Sequence, residues 1–252
     1  DGIRDECTSL VGSEMCIRDR IGATGWGLCH ATDVALEFCD FDLNNARIVL
    51  QGFGAVGMHT ARFLTDKGAV LVGAADSRGA IHNPDGLDVA RLADIKADGG
   101  ALGDYTDATR LDRDAVIDIE CDIWIPAARP DVIHEDNVHR LRTRLVIEGA
   151  NIPITPGAEA KLAEQGILCV PDFIANAGGV ICAAMEYHGA SESAAMQAIE
   201  EKLRRNTRLV LENAARRSIL PREASVELAL ARVKKAMSFR RYSLFSTAPG
   251  FV

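Results

Sequence analysis

The apolar and polar positions along the chain alternate between short apolar runs and longer stretches with helical spacing. Short runs of this kind are typical of strands that are buried on both faces of a parallel sheet. We interpret five of them as strands: residues 48–50, 70–75, 121–125, 144–148 and 167–170. Helical spacing predicts helices at residues 23–39, 56–67, 87–97, 133–141, 155–165, 177–187, 193–217 and 222–237. This alternation predicts an α/β fold with a doubly wound parallel sheet, followed by a helical C-terminal region.

A glycine triplet with G-x-G-x-x-G spacing follows the first apolar run. Gly52 permits a tight strand-to-helix turn, Gly54 lets the backbone approach a pyrophosphate, and Gly57 lets the helix pack on the strand. Asp76 ends the second run nineteen residues after Gly57, where a carboxylate that binds a ribose hydroxyl is expected. This context favours a Rossmann-like dinucleotide site. The alternative is a glycine-rich turn in another kind of α/β protein.

Composition excludes several other classes of function. The formal net charge of −8 argues against nucleic acid or an anionic membrane as the main partner. No apolar stretch approaches the roughly 18 residues of a membrane span. The seven cysteines are scattered and never form a C-x-x-C motif, which indicates reduced thiols in a cytoplasmic protein. The six histidines include no H-E-x-x-H motif, so no metal site is predicted.

The first nineteen residues differ from the rest of the chain. Residues 1–19 have no sustained helical or strand period and lack the regions of a signal peptide. They resemble a translated sequencing adapter at the end of an open reading frame. We interpret them, together with Cys7 and Cys16, as non-native, and residues 20–252 as one dinucleotide-binding domain with C-terminal helices. The alternative is a native, poorly ordered terminus.

Three further segments lie at the ends of strands or the starts of helices, where an open α/β sheet binds its ligand. They are residues 126–128, 148–151 and 175–180, and all are rich in small residues. Asn151 and Asn176 can hydrogen-bond an amide or a ribose. Taken singly, each segment could also be a helix cap or a turn.

Seven motifs occur in order: A-T-G-W-G (23–27), Q-G-F-G-A-V-G (51–57), A-D-S-R-G (75–79), N-P-D-G (83–86), I-P-A-A (125–128), E-G-A-N (148–151) and P-D-F-I-A-N-A-G-G-V (171–180). With them the chain resembles the cofactor domain of the glutamate/leucine/phenylalanine/valine dehydrogenases, closest to glutamate dehydrogenases. The resemblance implies reversible oxidative deamination of an L-amino acid, with glutamate as the first candidate, to a 2-oxo acid and ammonia. It implies NAD or NADP as the cofactor and a homo-oligomer for the full-length protein.

The resemblance also implies roles for individual residues. The pyrophosphate would be held by Gly52, Phe53, Gly54, Ala55 and Val56. The adenine ribose would face Asp76 and Ser77, and the nicotinamide ribose Ala127 and Ala128. The nicotinamide would contact Thr24, Asn151 and Asn176, and the substrate Val180 and Ala183.

Some features depart from the family pattern. The family's catalytic lysine and aspartate belong to an N-terminal domain that this sequence does not contain, so we expect the chain alone to be inactive. Lys67, Lys96 and Lys161 fit solvent-facing helix positions. Ala183 replaces the serine of glutamate-specific members, which leaves a branched-chain or aromatic amino acid open as the substrate. A non-catalytic NAD(P)-binding module is the other alternative. Arg78, next to Asp76, predicts use of both cofactors.

Overall fold

The computed structural model describes residues 21–240. The segment 1–19, with Cys7 and Cys16, lies outside the described residues, so its interpretation as non-native stays a prediction. Helices α1 to α8 are Ala23–Leu36, Ala55–Thr65, Val89–Ala97, Pro156–Glu164, Asp172–Ala175, Gly178–Tyr187, Glu192–Arg217 and Pro221–Arg240. Strands β1 to β7 are Arg47–Gln51, Val70–Ala75, Ala80–His82, Thr109–Leu111, Ile123–Pro126, Leu145–Ile147 and Leu168–Val170.

The strands form one seven-stranded sheet in the order β4-β3-β2-β1-β5-β6-β7. The predicted doubly wound α/β fold is confirmed, because β2, β1, β5, β6 and β7 pair in parallel. The strands β3 and β4, at one end of the sheet, pair in antiparallel fashion, and no sequence pattern indicated them. β3 follows β2 through a short turn in which the Asp76 N–H donates to the Gly79 carbonyl at 2.9 Å. A connection this short cannot cross over to a parallel strand.

Both faces of the sheet are covered, which explains why its central strands are continuous apolar runs. Ile48 and Leu50 of β1 point to the face covered by α1, α2 and α7. Val49 points to the opposite face, where it joins the cluster that contains Trp124 and Leu162 of α4. The sheet therefore separates two apolar layers, and its polar loops lie at the strand ends.

The predicted helix at residues 133–141 was wrong. The structure has a loop there with one 3-10 turn, Val138–Arg140. The Asn137 side chain accepts the His134 N–H at 2.8 Å and donates to the Val132 carbonyl at 2.9 Å. Ile133 forms an isolated parallel bridge with Ile154. Such local bonds from an asparagine to the backbone compete with a helix.

The helical C-terminal region is confirmed. The longest of its helices, α7, begins after Ser191, whose side chain accepts the Ala194 N–H at 3.3 Å. α7 ends at Ser218, which has a left-handed backbone. Among the described residues, no helix combines the length and the apolar character that crossing a membrane requires. Four cysteines of this part of the chain are free thiols: Cys29, Cys39, Cys121 and Cys169.

Candidate dinucleotide-binding site

The turn from β1 to α2 depends on glycines. Gly52 has a φ of 113°, a conformation that side chains rarely adopt, and its N–H donates to the Ala75 carbonyl at 3.0 Å. A Cβ placed on Gly57 would lie 1.9 Å from the Gly52 carbonyl oxygen. α2 therefore starts directly against the end of β1, as the glycine spacing predicts.

The N-terminus of α2 is open to solvent. Gly54 is the N-cap residue, and a Cβ placed on it would meet no atom within 4 Å. The first N–H groups of a helix have no partner within it, and the first turn of α2 carries no acidic side chain. Ala55 is exposed and Val56 half-buried, whereas Phe53 is 2% exposed and can offer only its main chain. This helix end can therefore receive an anion.

The second strand is followed by Asp76, whose carboxylate already accepts hydrogen bonds from other parts of the protein. Asp76 Oδ1 accepts the Arg78 N–H at 2.8 Å. Its Oδ2 accepts Lys96 Nζ at 3.0 Å and the Leu102 N–H at 3.1 Å. Lys96 was expected at the surface, but its side chain is only 25% exposed. The contacts from Lys96 and Leu102 were not predicted, because these residues lie 20 and 26 positions beyond Asp76, in the last turn of α3 and in the segment that follows it.

These contacts keep Asp76 ionised. Burial alone would raise its pKa, but the hydrogen bonds from the Arg78 N–H, Lys96 and the Leu102 N–H lower the pKa below its usual value. Ser77 and Arg78 are exposed, and the Arg78 guanidinium donates to the Gly99 carbonyl at 3.1 Å. The Asp76 side chain is 6% exposed, and its three donors leave one of the roughly four lone-pair sites of a carboxylate for a ribose hydroxyl.

The ends of β1, β5 and β6 meet at the same edge of the sheet. A Cβ placed on Gly52 would lie 2.6 Å from the Ala128 Cβ. A Cβ placed on Gly149 would lie 3.4 Å from the Ala127 Cβ, and the Gly149 N–H donates to the Pro126 carbonyl at 2.9 Å. The glycine loop, I-P-A-A and E-G-A-N thus form one continuous rim of small residues.

The two asparagines are in contact. Asn176 Nδ2 donates to Asn151 Oδ1 at 2.9 Å and lies 3.5 Å from the Gly149 carbonyl. Thr24, in the first turn of α1, lies beside the start of α6, because a Cβ placed on Gly178 would be 3.2 Å from the Thr24 Cα. The three residues that the resemblance assigns to the nicotinamide therefore lie on neighbouring elements.

The two residues assigned to the substrate lie on an exposed face of α6. Val180 is 75% exposed and Ala183 is also exposed, one turn further along the helix. Tyr187, on the next turn, is 87% exposed. Ile152 and Phe173 add exposed apolar surface at the adjacent loops, at 59% and 40%.

A buried ionic cluster that was not predicted from the sequence lies behind these loops. Arg222 of α8 donates to three carboxylates. Its Nε donates to Glu159 at 2.5 Å, its Nη1 to Asp172 at 3.0 Å, and its Nη2 to Glu148 at 2.7 and 2.9 Å. The signal was Glu148 at the end of a buried run, since a buried carboxylate needs a partner. That partner could not be identified because it lies 74 residues away.

The cluster holds more carboxylates than cations. Burial raises the pKa of Glu148, the nearby Arg222 opposes that rise, and the neighbouring Glu159 and Asp172 carboxylates add to it. The resulting pKa of Glu148 is about 8 instead of its usual 4.5.

A family model for the glutamate/leucine/phenylalanine/valine dehydrogenases matches residues 16–241. The chain belongs to this family. The match spans all of the described residues.

Individual relatives agree with this membership. The chain is 38% identical over 169 residues to the NADP-specific glutamate dehydrogenase A1 of Halobacterium salinarum, covering 67% of this chain and 40% of that protein. It is 34% identical over 232 residues to the NAD-specific glutamate dehydrogenase of Staphylococcus aureus strain COL, covering 90% and 55%. The chain thus spans about half the length of the curated relatives it matches.

A solved structure has the same architecture. The leucine-bound, hetero-hexameric glutamate dehydrogenase of Thermus thermophilus superposes with a TM-score of 0.79 at 28% identity. The superposition covers 95% of this chain and 56% of that one. Nearly the whole of this chain therefore has the fold of about half of that protein.

Proposed function

We propose that residues 21–240 bind NAD or NADP as the cofactor-binding part of an amino acid dehydrogenase. The observation that carries this proposal is the open N-terminus of α2 at Gly54, which lies within a rim of small residues. The space beside Gly54 and the free N–H groups of the helix suit a pyrophosphate in both size and charge. The relatives' names, which include both an NAD-specific and an NADP-specific glutamate dehydrogenase, support this proposal.

In the proposed complex the main chain of residues 52–56 binds the pyrophosphate. Asp76 and Ser77 accept the adenine ribose, and Ala127 and Ala128 leave room for the second ribose. The side chains of Thr24, Asn151 and Asn176 orient the nicotinamide amide. When bound, the oxidised cofactor supplies a hydride acceptor for the substrate's α-carbon. The reaction converts an L-amino acid, NAD(P)⁺ and water into a 2-oxo acid, ammonium, NAD(P)H and a proton.

Glutamate is the first candidate substrate, because the relatives are glutamate dehydrogenases. The exposed surface of α6 favours a second class of substrate. The side chains of Val180 and Ala183 cannot donate a hydrogen bond to the side-chain carboxylate of a glutamate substrate. The nearby Ile152 is apolar as well. A pocket without a polar partner favours a branched-chain or aromatic side chain. We further propose that the full-length protein is a cytoplasmic homo-oligomer acting on small molecules.

We expect the 252-residue chain to bind NADH and to show no turnover of amino acids. Lys67, Lys96 and Lys161 each donate to another group, namely Asp33, Asp76 and the Glu135 carbonyl. None of these three lysines is therefore free to act in the acid–base chemistry that deamination needs. Fluorescence titration with NADH measures binding, and assays with glutamate, leucine and phenylalanine measure turnover.

Two results would contradict this expectation in different ways. If NADH does not bind, the proposed function itself is refuted. Turnover of any of the three amino acids would show that this chain carries the acid–base groups, and the residues that provide them would then have to be found within it.

We expect NADH and NADPH to bind with affinities within about tenfold of each other, or ~1.4 kcal/mol. Asp76 favours the free ribose hydroxyl, while the exposed Arg78 has donors to spare for a 2′-phosphate. Arg78→Ala should weaken NADPH about tenfold, since hydrogen bonds to charged groups contribute ~1.5 kcal/mol. It should leave NADH nearly unchanged. Dissociation constants for both cofactors measure this effect.

Arg91→Ala is the matched control. Arg91, in α3, is another partly exposed arginine and forms an ion pair with Asp107. It should change neither affinity. An unchanged NADPH affinity in Arg78→Ala would show that Arg78 does not bind the phosphate.

A further inference from the structure

The ionic cluster around Arg222 is continuous with the loops that carry the two asparagines. Asp172 uses Oδ1 for Arg222 and Oδ2 for the Ile152 N–H, at 3.0 and 2.8 Å. The Asp172 N–H in turn donates to Glu148 Oε2 at 3.2 Å. Ile152 directly follows Asn151, so a single carboxylate connects the half-buried Arg222 to the loop of the first asparagine.

The second asparagine is tied to the same carboxylate residue. The Asn176 N–H donates to the Asp172 carbonyl at 2.7 Å and closes the single turn of α5. Its side chain then reaches Asn151 Oδ1 at 2.9 Å. Asp172 therefore holds the backbone of one asparagine directly, and that of the other through Ile152.

Ile152 is held in a conformation that its side chain disfavours. Its φ is 48°, and a β-branched residue there clashes with its own backbone. The side chain is also 59% exposed, so packing contributes little to fixing it. The hydrogen bond to Asp172 is thus an important restraint on the loop, and it depends on the orientation of that carboxylate.

Arg222 sets this orientation. Its guanidinium binds Glu148, Glu159 and Asp172 with three separate nitrogens, and all three side chains are less than 10% exposed. A planar guanidinium fixes the directions of its partners, which a flexible ammonium cannot do. Arg222 itself lies in the first turn of α8, about 70 residues beyond the loop that it restrains.

We propose that Arg222 is a positioning residue that acts through Asp172 to orient Asn151 and Asn176 toward the nicotinamide of the bound cofactor. This inference rests on the proposed function, because it assumes that the two asparagines face a dinucleotide. The competing explanation is a purely structural cluster that attaches α8 to the sheet. The two differ in which part of the cofactor should lose affinity.

Arg222→Lys tests the inference, since it keeps the charge but loses the three-pronged geometry. Arg217→Lys is the matched control, because Arg217 also pairs with a carboxylate, that of Glu227 in α8, but at the surface. Each variant is titrated with NADH and with ADP-ribose, which lacks the nicotinamide. Hydrogen exchange of the peptide that contains the Ile152 amide is measured without any ligand.

In Arg222→Lys we expect NADH to bind about tenfold more weakly, on the order of one lost hydrogen bond. ADP-ribose should bind as in the unsubstituted chain, and the Ile152 amide should exchange faster. Arg217→Lys should change none of the three. If NADH and ADP-ribose weaken equally, or if neither changes, the positioning role is refuted.

Two further outcomes are separated by the same design. If the unsubstituted chain binds neither ligand, the proposed function fails, and unchanged exchange at Ile152 in Arg222→Lys would refute the positioning link as well. If Arg222→Lys does not fold, Asp172→Ala replaces it. This variant removes the acceptor of the Ile152 N–H and leaves Arg222 paired with Glu148 and Glu159. It should show the same selective loss of NADH affinity, and an equal loss of ADP-ribose would overturn the inference.

Discussion

Gly54→Val is expected to abolish dinucleotide binding and to leave the fold intact. A Cβ at Gly54 meets no protein atom within 4 Å, and the backbone there is extended, at φ −88° and ψ −163°, which valine adopts readily. Valine is a poor N-cap, which costs ~1 kcal/mol of stability. Its side chain, however, fills the space that the pyrophosphate would occupy. NADH affinity should therefore fall by about 100-fold or more, as for several lost charge-assisted contacts.

Gly57→Val in the same loop separates the effect on binding from the effect on folding. Its Cβ would lie 1.9 Å from the Gly52 carbonyl oxygen, and a backbone oxygen cannot move aside cheaply. We expect this variant to unfold at markedly lower denaturant concentration, whereas Gly54→Val should unfold close to the unsubstituted chain. NADH titration and denaturant unfolding measure the two effects. Unchanged cofactor affinity in Gly54→Val would mean that the phosphates bind elsewhere.

The central sheet and its glycine loop were predictable because their signals are local. Val70–Ala75 matches its apolar run residue for residue, and α2 begins one residue before its predicted start. Burial on both faces makes such strands apolar throughout, and a helix that packs on a sheet must repeat its apolar residues every three to four positions. Since parallel strands all end at one edge, the candidate site could be assembled from strand-end motifs alone.

Other features depended on contacts that are distant in sequence or too short to give a pattern. β3 and β4 have three residues each, fewer than an alternation needs to be recognised. At residues 133–141 the helical spacing was real, but the side-chain bonds of Asn137 determined the local structure instead. The role of Arg222 depends on three carboxylates between 50 and 74 residues away. The periodicity of apolar residues does not indicate which distant side chains form ion pairs.

Arg222→Met is expected to destabilise the protein by about 3–5 kcal/mol at pH 8, because it leaves buried carboxylates without their cation. Arg217→Met is the control and should cost at most ~1 kcal/mol, as is typical of exposed ion pairs. Denaturant unfolding of the two variants measures the difference. A similar small loss in both would show that the buried cluster stabilises the fold no more than a surface pair does.

Arg222→Met should lose less stability at low pH than at high pH. The direction of this change follows from proton linkage. The pKa of Glu148 rises from its usual 4.5 to about 8 on folding, so the folded state binds the extra proton between these values. Stability from this group is complete below pH 4.5 and is lost as the pH rises through 8. Arg222 opposes that rise, so its removal raises the pKa of Glu148 further and extends the fall in stability to higher pH. The loss of stability in Arg222→Met should therefore shrink as the pH falls from 9 to 7 and change little below pH 7. Glu148→Gln, which cannot ionise, should flatten the fall in stability between pH 5 and pH 8. An unchanged slope in Glu148→Gln would show that Glu148 is ionised in the folded protein throughout this range.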